Sequence, residues 1–372
     1  MGSRRLDSGH FESLNALRLI LALMVMASHS VGLCWGNDHR EFLIQLTRRQ
    51  ESFGSIAVDG FFLISGMLIT ASWFRCGSMQ VFLYRRVLRI YPAFVVALLF
   101  SGIAAFAFCP ELRQQVNLPG YAHALVHDAA LLGTQTAALP GAFQHNPVPA
   151  IVNGSLWTID WEFRCYLLVA VLGLFCLLHR RKAVLTAFLL TWILYAHDVR
   201  TLSEPWRSEF RLLAFFLAGM VAWLYRDKLV FSVPRVVACA AVLLVTARFA
   251  PLCSLALPLA GSYLLLWIAA GPGCRAIRWT NKTDLSYGVY LYAFPIQQIL
   301  AQFPALRRPA LNLALAIPLT LGCAFLSWRF VEKPCLSLKK KPLRDYDPAL
   351  DKPRQPVPPP VPHPVHAVIA QG

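Results

Sequence analysis

The sequence predicts an all-α membrane protein, a polytopic bundle of about ten transmembrane helices. Only 15% of the 372 residues are charged and 57% are apolar, whereas soluble domains average about 25% charged residues. The apolar residues fall in blocks of roughly 17 to 22, the length that crosses the hydrocarbon core as a helix. Much of the surface is therefore expected to face lipid.

The first apolar block, Leu14 to Cys34, is too long for a signal peptide and lacks its small-residue cleavage site. It is therefore predicted to remain as the first span. Length and hydropathy predict nine more. These are Gly54 to Phe74, Val87 to Phe108, Asp160 to Leu178, Ala183 to Ala196, Phe210 to Tyr225, Val236 to Ala250, Leu252 to Ala270, Leu285 to Ala301 and Ala310 to Phe330.

Basic residues concentrate on one side when the loops are numbered alternately. That side carries Arg4 with Arg5, Arg85 with Arg86 and Arg89, Arg180 to Lys182, Arg226 with Lys228, Arg275 with Arg278, and Lys339 to Lys341. An excess of Lys and Arg marks the cytoplasmic face, so both termini are predicted to be cytoplasmic. The net charge of +16 is then a topological signal, and no nucleic-acid partner is expected.

One membrane domain, residues 14–338, accounts for most of the chain. A short cytoplasmic segment, 1–13, precedes it. Residues 339–372 begin with three lysines and become proline-rich, which is typical of an extended, disordered tail. No metal site is expected: His123, His127 and Asp128 have helical spacing but lack further ligands, and the ten cysteines include no CxxC pair.

Titratable side chains inside the spans are the main functional signal, because a charge within the bilayer is costly and usually functional. Arg18 and His29 are eleven residues apart, which places them on one helical face, separated by about 16 Å. Asp59 lies about 7 Å inside the second span, and a carboxylate beside an imidazole fixes its tautomer and raises its basicity. Glu162 begins the fourth span, with Tyr166 one turn further in.

Three arginines, Arg85, Arg86 and Arg89, lead into the third span. Arg86 and Arg89 are at i and i+3 and share a helical face. Arginine forks suit phosphates, although arginines at this interface also act as topology signals or bind lipid headgroups. With Arg18 at the same level, the layout predicts an outer acid–base layer and an inner phosphate-binding layer, hence a cytosolic donor and an acceptor from the far side.

Six short motifs follow one another between Leu14 and Pro334. They are Leu14–Arg18 with His29, Val58–Phe62 with Ser65 and Gly66, Arg85–Pro92, Ser155–Trp157 with Glu162 and Tyr166, Ser286–Leu291, and Glu332–Pro334. Together they resemble the acyltransferase-3 family of bacterial membrane O-acyltransferases. The resemblance implies that an enzyme of the bacterial inner membrane transfers an acyl group, commonly acetyl from acetyl-CoA, to a hydroxyl of an envelope or exported glycan. Acetyl-CoA is then a donor substrate, and no permanently bound cofactor is implied.

The resemblance also implies roles for individual residues. Arg18, Arg86 and Arg89 would engage the phosphates of the donor. His29 would be the catalytic base or a transient acyl carrier, with Asp59 orienting it. Glu162 would contribute to acceptor binding or proton handling. The predicted substrate contacts are Ser65, Trp157, Tyr166 and Tyr287.

Two positions depart from the family pattern, and both bear on the acceptor. Ala293 stands where many members have a histidine, and Phe163 follows Glu162 where a second glutamate is often found. No appended extracytoplasmic domain is recognised, so the transfer is completed either by this chain or with a separate periplasmic partner among the proteins of polysaccharide assembly.

Two other functional classes remain open from the sequence. A proton-coupled transporter also uses intramembrane His, Asp and Glu, but no inverted repeat is found. A non-catalytic scaffold acting through the proline-rich tail would lose its function on deletion of Lys339 to Gly372, whereas an enzyme would keep its activity.

Overall fold

Helices form nearly all of the computed structural model, which describes residues 4–5, 13–76, 78–115, 118–130, 139–201, 204–271, 280 and 283–338. Most of the predicted N-terminal segment lies outside these ranges. So do Arg275, Arg278 and the whole tail, including Lys339 to Lys341. The predictions made for those residues therefore stay predictions.

The helices are numbered in chain order. They are α1 (Ser13–Trp35), α2 (Phe42–Leu46), α3 (Phe53–Cys76), α4 (Met79–Phe108), α5 (Pro110–Gln115), α6 (Leu118–Ala129), α7 (Trp157–Leu174), α8 (Arg181–Thr201), α9 (Glu204–Leu224), α10 (Val233–Thr246), α11 (Leu252–Ala256), α12 (Ser262–Ala269), α13 (Ser286–Ala301), α14 (Pro309–Ser327) and α15 (Lys333–Leu338). A π-helical turn, Leu257–Gly261, joins α11 to α12, and another, Trp328–Glu332, joins α14 to α15.

Each of the ten predicted spans overlaps a helix, although Asp160 to Leu178 and Val236 to Ala250 run four residues past the ends of α7 and α10. Within the described part of the chain, six helical stretches are long and apolar enough to cross a membrane: α1, α3, α4, α8, α11 with α12, and α14 with α15. The other four helices, α7, α9, α10 and α13, are shorter or more charged. The chain is therefore a helical membrane protein, and six is the number of spans that length and composition support.

Helix α4 is longer than predicted. It begins at Met79 and not at Val87, and Pro92 lies inside it without ending it. The arginines at 85, 86 and 89 therefore lie within its second to fourth turns and not before it. The regular helical backbone at these positions fixes the direction in which each arginine side chain leaves α4.

Helix α13 lies at the centre of the bundle. Every residue from Ser286 to Gln298 is buried, as expected for a helix surrounded by others. It packs against α1, α4 and α14, while α3 packs along α1 and α9. We call the end of the bundle at which α1 and α4 begin and α3 ends the inner end, and the opposite end the outer end.

The N-terminal segment meets the bundle through two short strands. Strand β1 (Arg4–Arg5) pairs antiparallel with β2 (Val230–Phe231), which follows α9. Both segments were predicted to lie on the cytoplasmic face, and the pairing places them on the same side of the molecule.

Helices α3 and α9 are in direct backbone contact at two glycines. A Cβ atom at Gly66 would overlap the carbonyl oxygen of Phe216, and one at Gly219 would overlap that of Leu63. Gly66 therefore permits α3 to pack closely against α9. Small residues of this kind allow membrane helices to approach closely.

Substituting alanine for Gly66 should separate α3 from α9 and destabilise the fold by about 1 to 3 kcal/mol or more. The measurement is the thermal unfolding midpoint of the detergent-solubilised protein. Gly322→Ala is the matched control, since no atom lies within 4 Å of a Cβ at Gly322. Because alanine is the better helix former by about 1 kcal/mol, equal midpoints for the two variants would contradict the backbone contact.

Candidate active site

A cavity of about 450 Å³ lies between α1, α3, α4, α7 and α13. This is the size of ordinary small-molecule sites. Its polar lining residues are Asn15, Arg18, Ser65, Ser72, Arg75, Arg86, Arg89, Thr158, Glu162, Tyr166, Asp284, Tyr287 and Tyr290. Seven of the ten site residues predicted from the sequence are among them, so the structure collects residues from distant parts of the chain in one place.

The cavity is elongated along α3. One stripe of that helix lines it, with Val58, Phe61, Ser65, Ser72 and Arg75 among its members. These positions share a helical face, and from 58 to 75 they extend about 25 Å at 1.5 Å per residue. The cavity is therefore a channel that runs from the inner end through most of the roughly 30 Å of a hydrocarbon core.

Glu162 lies midway along the channel and accepts hydrogen bonds from two other predicted site residues. The hydroxyl of Tyr166 donates to its Oε1 at 2.6 Å, and Ser65 Oγ donates to the same oxygen at 3.1 Å. Hydrogen bonds to a carboxylate stabilise its charged form. Glu162 as acceptor and Tyr166 and Ser65 as donors therefore form a preformed hydrogen-bonded cluster between α3 and α7.

Asp284 is a site residue that the sequence analysis missed. Its Oδ2 accepts from Arg18 at 2.9 Å and also from Arg89, while its Oδ1 accepts from Ser286 Oγ at 2.6 Å. An aspartate just before a helix is a recognisable start signal, so the start of α13 was the clue available in the sequence. Two of the three predicted phosphate-binding arginines therefore share one carboxylate.

The pKa of Asp284 reflects this pairing. Burial alone would raise the pKa, but the guanidinium groups of Arg18 and Arg89 outweigh burial and hold it below its ordinary value. A carboxyl group whose pKa is lower in the folded than in the unfolded protein stabilises the fold at pH values above its unfolded pKa. This stability is lost only as the pH falls through the folded pKa. A pH dependence of activity near neutrality therefore does not come from Asp284.

Arg86 is held differently. Its Nη2 donates to Ser72 Oγ at 3.3 Å, and its guanidinium lies 5.9 Å from the ring centres of Phe82 and Tyr166. Its Nε is buried and has no hydrogen-bond partner. A buried donor without a partner is rare and calls for an explanation, and an absent ligand is one.

His29 lies outside the residues that line the channel. Its ring is 5.0 Å from that of Phe294 in a T-shaped contact, and its buried Nδ1 has no hydrogen-bond partner. Phe294 follows Tyr290 by one helical turn, and the ring of Tyr290 makes a T-shaped contact with Phe61 at 5.6 Å. Phe294 therefore lies beside His29, whereas Tyr290 and Phe61 line the channel.

The predicted pairing of Asp59 with His29 is wrong. Both carboxyl oxygens of Asp59 accept from Arg211, at 2.9 Å from Nε and 2.6 Å from Nη2. Arg211 also donates to Glu51 at 2.6 Å, and Ser254 donates to the other oxygen of Glu51. Similar depth suggested the pairing with His29, but the facing helix α9 supplies a guanidinium, which binds a buried carboxylate more strongly than an imidazole does.

The remaining predicted contacts are dispersed. The hydroxyl of Tyr287 donates to the backbone oxygen of Ile90 at 3.0 Å within the channel wall, whereas Trp157 is exposed and is not among the residues that line the channel.

In the described part of the chain, no three His, Cys, Asp or Glu side chains come together as metal ligands. His127 Nδ1 lies 3.4 Å from Asp128 Oδ1.

Comparison with known protein families shows the family of the chain. Residues 11–329 match the acyltransferase-3 family, described as an acyltransferase domain. The chain belongs to this family. As an acyltransferase-3 protein it is an O-acyltransferase, which the name of one relative also supports.

That relative is the O-acetyl transferase of Shigella phage Sf6, 28% identical over 339 residues that cover 86% of this chain and 94% of the relative. Nodulation protein 10 of Rhizobium leguminosarum bv. viciae is 24% identical over 363 residues, covering 90% and 95%. Acyltransferase MdmB of Streptomyces mycarofaciens is 31% identical over 162 residues, covering 42% and 37%. No solved structure matches the chain. This acyltransferase-3 protein therefore resembles two relatives over nearly their whole length.

Proposed function

We propose that the protein moves an acyl group, acetyl by analogy with the name of the phage relative, from cytosolic acyl-CoA to a hydroxyl of an envelope or exported polysaccharide or oligosaccharide. The carrying observation is the channel, which has arginines at its inner end and is partly apolar beyond them. An acyl-CoA has the same layout, with phosphates at one end and a long arm ending in a thioester. The proposed location is the bacterial inner membrane, with both termini in the cytoplasm.

The proposed donor lies with its phosphates among the arginines and its arm along the stripe of α3. Its thioester then reaches the outer end of the channel, near the hydroxyl pair of Thr158 and Tyr290, which are 2.7 Å apart. Hydroxyl groups of this kind donate to a carbonyl oxygen on which negative charge develops. Glu162, further inward, holds or moves a proton through Tyr166 and Ser65.

His29 is proposed to act on the acceptor from the outer side. Its neutral ring removes the proton of the glycan hydroxyl as that oxygen attacks the thioester carbonyl. The carbon–sulfur bond breaks, an ester forms, and the CoA thiolate takes up a proton. Because Phe294 packs against His29 and His29 does not line the channel, the proposal requires Phe294 to move before the acyl group and His29 meet.

The test uses inside-out membrane vesicles, which expose the cytoplasmic face. With labelled acetyl-CoA and the host's glycan, label should enter a base-labile ester, with release of one CoA thiol per ester formed. Sealed right-side-out vesicles should show this only after permeabilisation. The proposal fails if no acyl-CoA of any chain length gives ester or thiol, and a proton-coupled solute flux without thiol release would favour a transporter instead.

A further inference from the structure

The inner mouth of the channel carries an arginine that the sequence analysis did not single out. Arg75 ends the channel-lining stripe of α3 and is exposed there. It makes no ion pair with any residue that the structure describes. A cation in the last turn of a helix is favourable by itself. Arg75 also lines the channel, so it can contact a ligand there.

The other channel arginines differ in how far their charge is already neutralised. Arg18 and Arg89 both bind Asp284, and Asp284 is in turn held by Ser286. A phosphate at these two arginines would lie next to a buried carboxylate, and like charges repel strongly at low dielectric. Their pairing makes them poor primary sites for a polyanion.

Arg86 and Arg75 form the less neutralised pair. Arg86 reaches Ser72 Oγ, and Ser72 precedes Arg75 by three residues on the same face of α3. Arg86 therefore contacts α3 about one helical turn before Arg75, and both arginines line the channel. Arg86 also has a buried Nε without a partner, which points to a missing acceptor.

We infer that Arg75, together with Arg86, binds the phosphates of a nucleotide-bearing thioester at the inner mouth, and that Asp284 positions Arg18 and Arg89 as a structural pair in the channel wall. This inference rests on the proposed function and names the part of the donor that is recognised. The inference predicts that the protein prefers a donor with an adenosine phosphate portion to the same acyl group on pantetheine alone.

The test compares two donors that carry the same thioester, acetyl-CoA and acetyl-pantetheine, which lacks phosphates. Wild-type protein in vesicles should prefer acetyl-CoA in kcat/KM. Arg75→Gln should reduce that preference roughly tenfold, mostly through the KM for acetyl-CoA, because a charge-assisted contact to phosphate is lost. Arg75→Lys should restore part of the preference. Added salt should weaken the preference of the wild type more than that of Arg75→Gln.

Arg226→Gln is the matched control. Arg226 is another inner-end arginine, but it stacks on Trp223 at 4.1 Å, donates to a backbone oxygen and lies off the channel. An equal donor preference in Arg75→Gln and wild type would overturn the inference while leaving acyl transfer intact. Wild-type protein that releases no thiol from either donor would instead refute the proposed function, and the inference with it.

Discussion

Replacing His29 with alanine is expected to lower acyl transfer about 10²- to 10⁴-fold, the usual contribution of a general base. The buried Nδ1 has no partner in the described structure, so the substitution removes no hydrogen bond made by that atom. The loss should therefore appear in kcat, with normal insertion and an unfolding midpoint close to that of the wild type. Label incorporation into base-labile ester measures the loss.

His39→Ala serves as the control for His29→Ala. His39 is an exposed histidine in the segment that follows α1, and its replacement should leave transfer unchanged. Full incorporation by His29→Ala would remove His29 from the mechanism and would direct attention to Glu162, a carboxylate that lines the channel.

Arg211→Met is expected to cost about 3 to 5 kcal/mol of stability, because it leaves buried carboxylates without their cation. Asp59 and Glu51 both lose their ion pair, and both are almost completely buried. The unfolding midpoint and the yield of folded protein in detergent measure the effect. Asp59→Asn should behave in the same way, losing stability in parallel with activity.

The stability of Asp59→Asn distinguishes the ion pair with Arg211 from the sequence-based hypothesis that Asp59 orients His29. If Asp59 oriented His29, Asp59→Asn would lose activity at unchanged stability. The combined variant Arg211→Met with Asp59→Asn and Glu51→Gln should recover part of the stability, since no unpaired charge remains. Arg181→Met, which removes the exposed pair with Asp227, is the control and should change stability little.

Much of the fold follows from the sequence alone. The apolar blocks of membrane-spanning length correctly indicated helices. A segment that crosses a bilayer must satisfy its backbone hydrogen bonds internally, and a helix does so. The cost of charge in the bilayer singled out Arg18 and Glu162, which line the channel, and also His29 and Asp59, which do not. The run of arginines leading into the third span indicated Arg86 and Arg89, which line the channel as well. Helical period gives the face and depth of a side chain, and these were sufficient to expect an arginine layer at one end.

Only the tertiary structure decided which side chains meet. Arg211 and Asp59 are 152 residues apart, Arg89 and Asp284 are 195 apart, and Arg18 and Asp284 are 266 apart. Period and depth describe each helix separately, whereas these pairs depend on which helices are neighbours and how they are rotated. Close contacts such as that between Gly66 and Phe216 set that arrangement. For this reason the sequence placed Asp59 beside His29, while packing of α9 against α3 gave it Arg211.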